Sequence, residues 1–487
     1  MSAVRVLSSR VLPVTMRFGR YMREMANRAP QLAVVMALSL LATAGCATLP
    51  DTDAFLLERQ SMQAARFENA RGQLSAKKSA AIIAELKRKS GDIDILDKQI
   101  ALEQAISDSP LVLGNKLTLL QDGKATYAAM FAAIRQAKDH INLESYIIED
   151  DQVGQEFAVL LLEQQSRGVQ VNVVYDSIGG LNTPKAFFEQ LTKAGIQVVE
   201  FNPINPLAAK GPWLINNRDH RKLLIVDGKI AFVGGINISS VNSSGSAGVP
   251  PGKSGESNVA WRDTDLQIEG PVVGELQKLF MNTWEKQHGA PLAAKEYFPA
   301  LTAQGNEIVR AIGSTPDDPY SLMYLTLIFA IGNAEKQVYL TNAYFVPDPQ
   351  LLKSLIDAAG RGVDVKLILP SHSDSGMVFH AGRSHYSTLL NAGIKIYERR
   401  GALLHSKTAL IDGVWSSIGS SNLDWRSALN NDEINAVVLG RDFAQQMQAA
   451  FAKDLEASDN IDRESWERRS LLLRVKELLS RLWARLL

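Results

Sequence analysis

His220-Arg221-Lys222-Leu223-Leu224-Ile225-Val226-Asp227-Gly228 decides the reading of this chain, because the pattern returns as His405-Ser406-Lys407-Thr408-Ala409-Leu410-Ile411-Asp412-Gly413. In both copies a His and a Lys stand two apart and an Asp follows the Lys by five. A Gly-small-x-Asn then follows, Gly234-Gly235-Ile236-Asn237 in the first copy and Gly419-Ser420-Ser421-Asn422 in the second. Chance could produce one such match. Two with the same internal spacing, one per half of a 487-residue chain, mark a duplicated unit. Residues two apart on a strand project from one face, so each His aims with its Lys. The apolar runs 223–226 and 408–411 read as buried strands, and the Asp-Gly after each predicts a two-residue hairpin turn. A second strand in each copy, 230–233 and 414–418, carries Asn237 or Asn422 back beside the imidazole and ammonium.

That set of groups suits a phosphodiester. Phosphoryl chemistry needs a nucleophile, an acid for the leaving oxygen, and cations or donors for the equatorial oxygens. One neutral imidazole can attack phosphorus and one charged imidazole can protonate the leaving alkoxide, provided their surroundings split their pKa values. Lys222 and Lys407 supply point charges, Asn237 and Asn422 neutral donors to phosphate. A Lys flanked by apolar strand residues needs a reason of this kind. Asp227 and Asp412 complete the catalytic sets by spacing, although an Asp before Gly is also a natural turn residue and the turn alone explains it. A working histidine also needs its second nitrogen oriented, usually by a carboxylate. One candidate lies downstream of each motif: Asp263 in Trp261-Arg262-Asp263-Thr264-Asp265, and Glu433 in Asn431-Asp432-Glu433-Ile434-Asn435. The remaining histidines, His140, His288, His372, His380 and His385, read as structural.

The double HxKxxxxD pattern resembles the phospholipase D superfamily. Within it, Phe201-Asn202-Pro203, Asn217 to Lys222, Trp261-Arg262-Asp263-Thr264 and the run Gly419-Ser420-Ser421-Asn422-Leu423-Asp424-Trp425-Arg426-Ser427 are similar to bacterial cardiolipin synthases. The likeness covers roughly residues 111–456. It implies transfer of a phosphatidyl group between phospholipids through a phosphohistidine, with His220 as nucleophile and His405 as general acid and then base. It also implies no metal and no cofactor, with phospholipid substrates: phosphatidylglycerol as the natural acceptor, phosphatidylethanolamine as a candidate second substrate, and the donor headgroup left open. Phospholipase D hydrolysis to phosphatidic acid is the neighbouring reading, a nuclease the more distant one, and a non-catalytic scaffold is disfavoured by two intact motifs.

Repeats outside the motifs support two α/β lobes of the phospholipase D type, each a sheet sandwiched by helices, related by a pseudo-twofold with the active site between them. Arg167-Gly168-Val169-Gln170-Val171 recurs as Arg361-Gly362-Val363-Asp364-Val365, and Ala194-Gly195-Ile196 as Ala392-Gly393-Ile394. Residues 143–146 likewise have a counterpart in 340–344. The expected organisation is a lipoprotein-type signal peptide at 1–45, a helical arm at 46–110, lobes at 111–290 and 307–460 joined by a linker at 291–306, and an amphipathic helix at 461–487. The Ser/Gly/Pro-rich stretch 239–257 reads as a loop and, beside the first motif, as a candidate lid.

The single cysteine excludes an internal disulfide and any zinc site built on several Cys ligands. Cys46 follows an Arg-bearing leader, an apolar run at 32–42 and Thr43-Ala44-Gly45, the context of a lipidated N-terminal Cys. This predicts a bacterial envelope lipoprotein facing the periplasm. The whole chain balances 52 basic against 52 acidic residues, and removal of 1–45 leaves a net of −5. A protein that grips a nucleic-acid backbone is usually basic, so nucleic acid is a disfavoured partner. From 466 to 487, Leu471, Leu472, Val475, Leu478, Leu479, Leu482 and Trp483 follow a helical period among six basic residues, which predicts an interfacial helix suited to anionic lipid.

Overall fold

The computed structural model describes Leu49, residues 65–91, 95–243 and 260–486. Pro50–Leu487 is one compact unit. The expected signal peptide, Cys46, and the body of the candidate lid at 244–259 lie outside the described residues.

The first lobe contributes seven strands: β1 (Leu111–Gln121), β2 (His140–Ser145), β3 (Gln170–Asp176), β4 (Gln197–Phe201), β5 (Lys222–Val226), β6 (Ile230–Gly234) and β7 (Thr264–Glu269). They pair in the order β4-β3-β2-β5-β6-β7-β1, with β2, β3 and β4 mutually parallel and the rest antiparallel. The second lobe repeats the plan with β8 (Glu307–Ser314), β9 (Gln337–Asn342), β10 (Asp364–Pro370), β11 (Lys395–Arg399), β12 (Lys407–Ile411), β13 (Trp415–Gly419) and β14 (Asn431–Leu439). Its order is β11-β10-β9-β12-β13-β14-β8. The lobes join where β1 and β8 run antiparallel, with Glu307 opposite Asn115 and Val309 opposite Val112. The register shift between those pairs marks the seam. Between α1 (Val273–Lys286) and β8 the chain has no helix or strand, which is where the linker was expected.

The two-residue period along the motif strands distributes their side chains between two cores. Leu224 and Val226 pack with the outer helices of the first lobe, whereas Leu223 and Ile225 join Leu410, Ile418 and Ile434 of the second lobe in a shared core. Ala409 and Ile411 turn to the outer core of the second lobe. Both faces of each motif strand are therefore buried in apolar contact, which fixes the register from which the His and Lys project.

The N-terminal arm differs in part from expectation. Helices form over Ala76–Ser90 and Ile95–Ile106, but Phe67–Asn69 and Gly72–Gln73 make a small hairpin that runs parallel to β1 at Leu111. Gly72, with φ +98, permits the tight reversal that an all-helical reading of this stretch overlooked. Among the described residues no helix is long and apolar enough to cross a membrane.

Candidate active site

Each motif hairpin closes as the Asp-Gly signal predicts. Asp227 and Gly228 have φ of 52° and 63°, and Asp412 and Gly413 have 52° and 64°, the left-handed pair that a type I′ turn requires. The turn hydrogen bonds are Lys229 N–H to Val226 O at 3.0 Å and Val414 N–H to Ile411 O at 3.1 Å.

These turns sit at the far end of the strands from the histidines. Five residues of strand separate Lys222 from Asp227, roughly 17 Å at about 3.4 Å per residue. The Asp227 carboxylate accepts from the backbone N–H groups of Lys138, Asp139 and His140, and Asp412 accepts from those of Glu335, Lys336 and Gln337. Asp227 and Asp412 therefore leave the catalytic set, as a correction to the spacing argument. They brace the loops that lead into β2 and β9, and the geometry gives them no contact with a reacting group.

His220 and His405 are brought together by short strand pairs that cross between the lobes. Arg218–Asp219 runs parallel to the start of β14, with Arg218 opposite Asn431 and Asp219 opposite Asp432. One step further along that register His220 meets Glu433. Trp261–Arg262 runs parallel to Leu403–Leu404, so Asp263 meets His405. The backbone bonds His220 N–H to Asp432 O (2.9 Å) and His405 N–H to Arg262 O (2.8 Å) extend both pairs. His220 Nδ1 lies 3.1 Å from each oxygen of Glu433, and His405 Nδ1 lies 2.7 Å from Asp263 Oδ2. Order along the chain places one carboxylate behind each motif; the fold exchanges them, so neither half orients its own histidine.

A carboxylate only accepts, so each Nδ1 carries the hydrogen and each Nε2 is left with its lone pair for chemistry. Both imidazoles are buried. Burial lowers the His220 pKa, and Lys222 adds to the lowering, while Glu433 opposes it; the result is about 4. His405 is also lowered, first by burial and then by Lys407, against the support of Asp263. Burial raises both carboxylates, but His220 and Lys222 outweigh it at Glu433 and His405 and Lys407 outweigh it at Asp263, so both are held below their usual range. The charge of Lys407 reaches His220 and that of Lys222 reaches His405, so the four groups form one cluster.

The lysines point back along the motif. Lys222 Nζ donates to His220 O at 2.6 Å, and Lys407 Nζ donates to His405 O. Burial lowers Lys222 to about 7 and Lys407 to about 8. Glu433 and Asp263 act on both ammonium groups, but among the described residues no carboxylate lies within ion-pair distance of either, which leaves a cradle for an anion. Asn237 and Asn422 are buried close by. Asn237 Oδ1 accepts from Ile147 N–H at 3.2 Å, and the buried Asn422 Oδ1 has no partner.

Three aromatic side chains in the site carried no sequence assignment. Tyr146 stands edge-on to His220 at 5.2 Å, with Lys222 Nζ 5.3 Å from its ring centre. Tyr344 stands edge-on to His405 at 6.2 Å and donates to Asp374 at 2.7 Å. Trp261 lies 4.8 Å from the His405 ring. The repeat of 143–146 in 340–344 was a signal for the tyrosines, since residues just beyond the ends of repeated strands occupy equivalent places. The glycines of both motifs are required by close approach. A Cβ on Gly235 would collide with the Asp263 carboxylate, and one on Gly419 with Ile434 O.

With this geometry in view, comparisons with known proteins are consistent throughout. The family described as "Cardiolipin synthase, PLD-like domain" matches residues 130–284 and 327–455, one match in each lobe. The chain is 36% identical over 393 residues to a cardiolipin synthase of Geobacillus sp. (strain WCH70), covering 80% of this chain and 76% of that protein. It is 34% identical over 381 residues to cardiolipin synthase A of Pseudomonas putida, covering 76% and 75%. The phosphatidylserine synthase structure from Haemophilus influenzae Rd KW20 superposes with a TM-score of 0.56 at 12% identity, over 80% of this chain and 98% of that one, a likeness of fold.

Proposed function

The chain belongs to the cardiolipin synthase family of phospholipase D-like proteins, and on that premise we propose that it moves a phosphatidyl group onto the headgroup hydroxyl of phosphatidylglycerol. The observation that carries the mechanism is the crossed pairing of His220 with Glu433 and His405 with Asp263. It supports two buried imidazoles, each with its Nδ1 held by a carboxylate and its Nε2 left for the chemistry of a two-step displacement.

In the first step His220 Nε2 attacks phosphorus, the bond from phosphorus to the headgroup oxygen breaks, and protonated His405 gives its Nε2 proton to that oxygen. A phosphohistidine remains and the headgroup alcohol leaves, glycerol when the donor is phosphatidylglycerol. In the second step neutral His405 takes the proton of the acceptor hydroxyl as its oxygen attacks phosphorus. The P–N bond breaks and His220 is restored. Lys222, Lys407 and the Asn237 and Asn422 amides balance the charge that builds on the equatorial oxygens.

A pKa lowered to about 4 supports His220 as a group that is neutral and ready to attack at neutral pH. The short bond to Asp263 supports His405 as the one that can hold a proton. Water and a lipid alcohol compete for the same intermediate, so transfer depends on positioning the hydroxyl and excluding water. In vesicles of phosphatidylglycerol, with or without phosphatidylethanolamine, cardiolipin is the expected main product. If phosphatidic acid dominates at every composition, the protein is a phospholipase D. The same reading places the protein in the bacterial envelope, anchored through an acylated Cys46; an unmodified thiol at a mature N-terminus, read by mass spectrometry, contradicts the anchor.

A further inference from the structure

The C-terminal helix Leu471–Arg481 is docked with the wrong side out for a soluble protein. Its inward face is Leu473, Glu477 and Ser480, and Glu477 is 3% exposed, held by Arg469 at 2.9 Å. Arg469 in turn lies 4.1 Å over the ring of the buried Trp466. The leucines point away. Leu471 is 77% exposed, Leu478 62% and Leu482 74%, with Leu472, Val475 and Leu479 beside them. Arg474, Lys476 and Arg481 flank this stripe on both sides. A helix that buries its acid and exposes its leucines is built for something other than water.

The helix is one part of a larger face. Among the described residues, fourteen of the sixteen exposed large apolar side chains fall within 178–181, 207–215, 377 and 471–483, leaving only Val159 and Phe298 elsewhere. On the first lobe the segment just before His220 exposes Leu207, Trp213, Leu214 and Ile215. The loop after β3 exposes Ile178 and Leu181 and packs its Gly179 against the backbone of Tyr146. On the second lobe exposed Met377 is the second residue of the helix Gly376–Arg383, which begins two residues past Asp374, the partner of Tyr344, and packs against Leu471–Arg481. The dipeptide Trp425-Arg426, just after the second motif, touches both the first-lobe segment and the C-terminal segment. Arg426 donates to Asn216 O at 3.2 Å, and Trp425 lies beneath Arg485 at 5.2 Å. The segments with Ile178 and Leu181, with Leu207 to Ile215 and with Met377 follow the carboxyl ends of β3, β4 and β10, the edge at which open α/β sheets bind ligands.

We propose that this rim is a two-part docking face for an anionic lipid surface, formed by residues 206–215 of the first lobe and the helix Leu471–Arg481 of the second, which together press the mouth of the active site onto the headgroup layer. The proposal rests on the lipid-transfer reading and specifies how substrate reaches the site. A lipid surface is the fitting occupant because the apolar stripe of the helix is bordered by Arg474, Lys476, Arg481 and Arg485, Trp483 stands at its end, Trp213 is exposed among the apolar residues of the first-lobe segment, and the acid on the helix is turned inward. This is the distribution that lies at a headgroup boundary. A protein partner would have to bury those cations against acids of its own. Two separate apolar elements also act as two membrane signals whose affinities multiply.

The test uses the full chain in a Cys46→Ser background, so that no acyl anchor carries the partition. Flotation is measured with vesicles of equal parts phosphatidylglycerol and phosphatidylcholine, and turnover is measured on those vesicles and on short-chain phosphatidylglycerol dispersed as monomers. Leu472→Glu with Leu479→Glu, and separately Leu207→Ala with Trp213→Ala, are expected to cut vesicle partition and vesicle turnover by at least about tenfold each. Turnover of the dispersed lipid should stay within about twofold, because the site itself is untouched. Variants that float and turn over vesicles like the parent overturn the proposal. So does a parent that fails to float while the same substitutions convert a dimer into monomers, which assigns the face to a second copy. A parent that floats but transfers nothing on either substrate leaves the docking face standing and removes the synthase reading instead.

Discussion

In the first lobe His220 leans on Glu433, a carboxylate that also accepts from Ser420, Ser427 (2.7 Å) and the Asn431 amide (3.3 Å). In the second lobe His405 leans on Asp263, which otherwise accepts from the Thr264 N–H at 2.8 Å. The strands, the type I′ turns and the lysine contacts are the same in both halves. The surroundings of the carboxylates are not. Several donors share the charge of Glu433, whereas Asp263 has one short bond to His405 and one backbone donor. Duplication supplies two imidazoles in like places, and the hydrogen bonds around their carboxylates set them apart. A displacement that needs one base and one acid calls for a difference of this kind.

The largest effect comes from removing either imidazole. His220→Ala and His405→Ala are each expected to lower kcat by about 10⁴-fold or more, and the double variant by little beyond that, since the two act as a unit. The variants separate in what they trap. With His405 gone, the first step can proceed on a donor with a good leaving group, and labelled phosphate should accumulate on the peptide carrying His220. A label on the His405 peptide in the His220→Ala protein would reverse the order of the lobes.

Exchanging the carboxylates for amides probes the inequality directly. Asp263→Asn and Glu433→Gln should each cost about 10²- to 10³-fold in kcat through loss of the oriented tautomer. Their pH profiles should differ. Asp263 raises the His405 pKa, so its removal lowers it further, and the alkaline limb of the profile moves to lower pH. Glu433 raises the His220 pKa, so its removal moves the acid limb to lower pH and leaves the alkaline limb in place. Identical shifts in both variants would mean that the two rings are not specialised.

The lysines give a smaller, titratable effect. Burial sets Lys222 near 7 and Lys407 near 8, so in the empty site both ammonium charges are present below those values and are lost as pH rises through them. An anionic phosphodiester raises both pKa values once bound. Steady-state kinetics should therefore show kcat/KM falling by up to about tenfold per pH unit above pH 8 for each lysine, while kcat falls less. Parallel declines in the two parameters would argue that substrate does not meet these ammonium groups.

How much of this was legible in the sequence depends on the range of the contact. The two-lobe α/β plan, the motif hairpins and their turns follow from local signals, apolar runs ending in Asp-Gly, and those signals agree with the burial of residues 223–226 on both faces. The identities of Asp263 and Glu433 were legible as well, because each follows its motif at a recognisable place. Their exchange between lobes was not. It arises from the two-residue pairings of Arg218–Asp219 with Asn431–Asp432 and of Trp261–Arg262 with Leu403–Leu404, which are too short to leave a periodic trace. The C-terminal helix shows the same limit from the other side. Its amphipathic period was plain, but only the docked Glu477 reveals which face the fold leaves to solvent.

The smallest expected change in activity concerns Asp227 and Asp412, and it separates a motif residue that is conspicuous from one that reacts. Each carboxylate gathers three successive backbone N–H groups at the start of a parallel strand, and each residue occupies a left-handed turn position that Asn also tolerates. Asn in either place keeps the turn but offers one neutral oxygen where two charged ones accepted. The expected loss is about 1–3 kcal/mol of stability, with kcat of the folded enzyme within about twofold of the parent. The two positions should not cost the same. Asp412 is buried and Asp227 is half-buried, so water replaces lost bonds less readily at Asp412, and Asp412→Asn should show the larger drop in Tm. Thermal unfolding paired with kcat measured well below Tm distinguishes the outcomes. A kcat lost by orders of magnitude at unchanged Tm would place the aspartates in the reacting cluster, against a geometry that holds them a strand's length away.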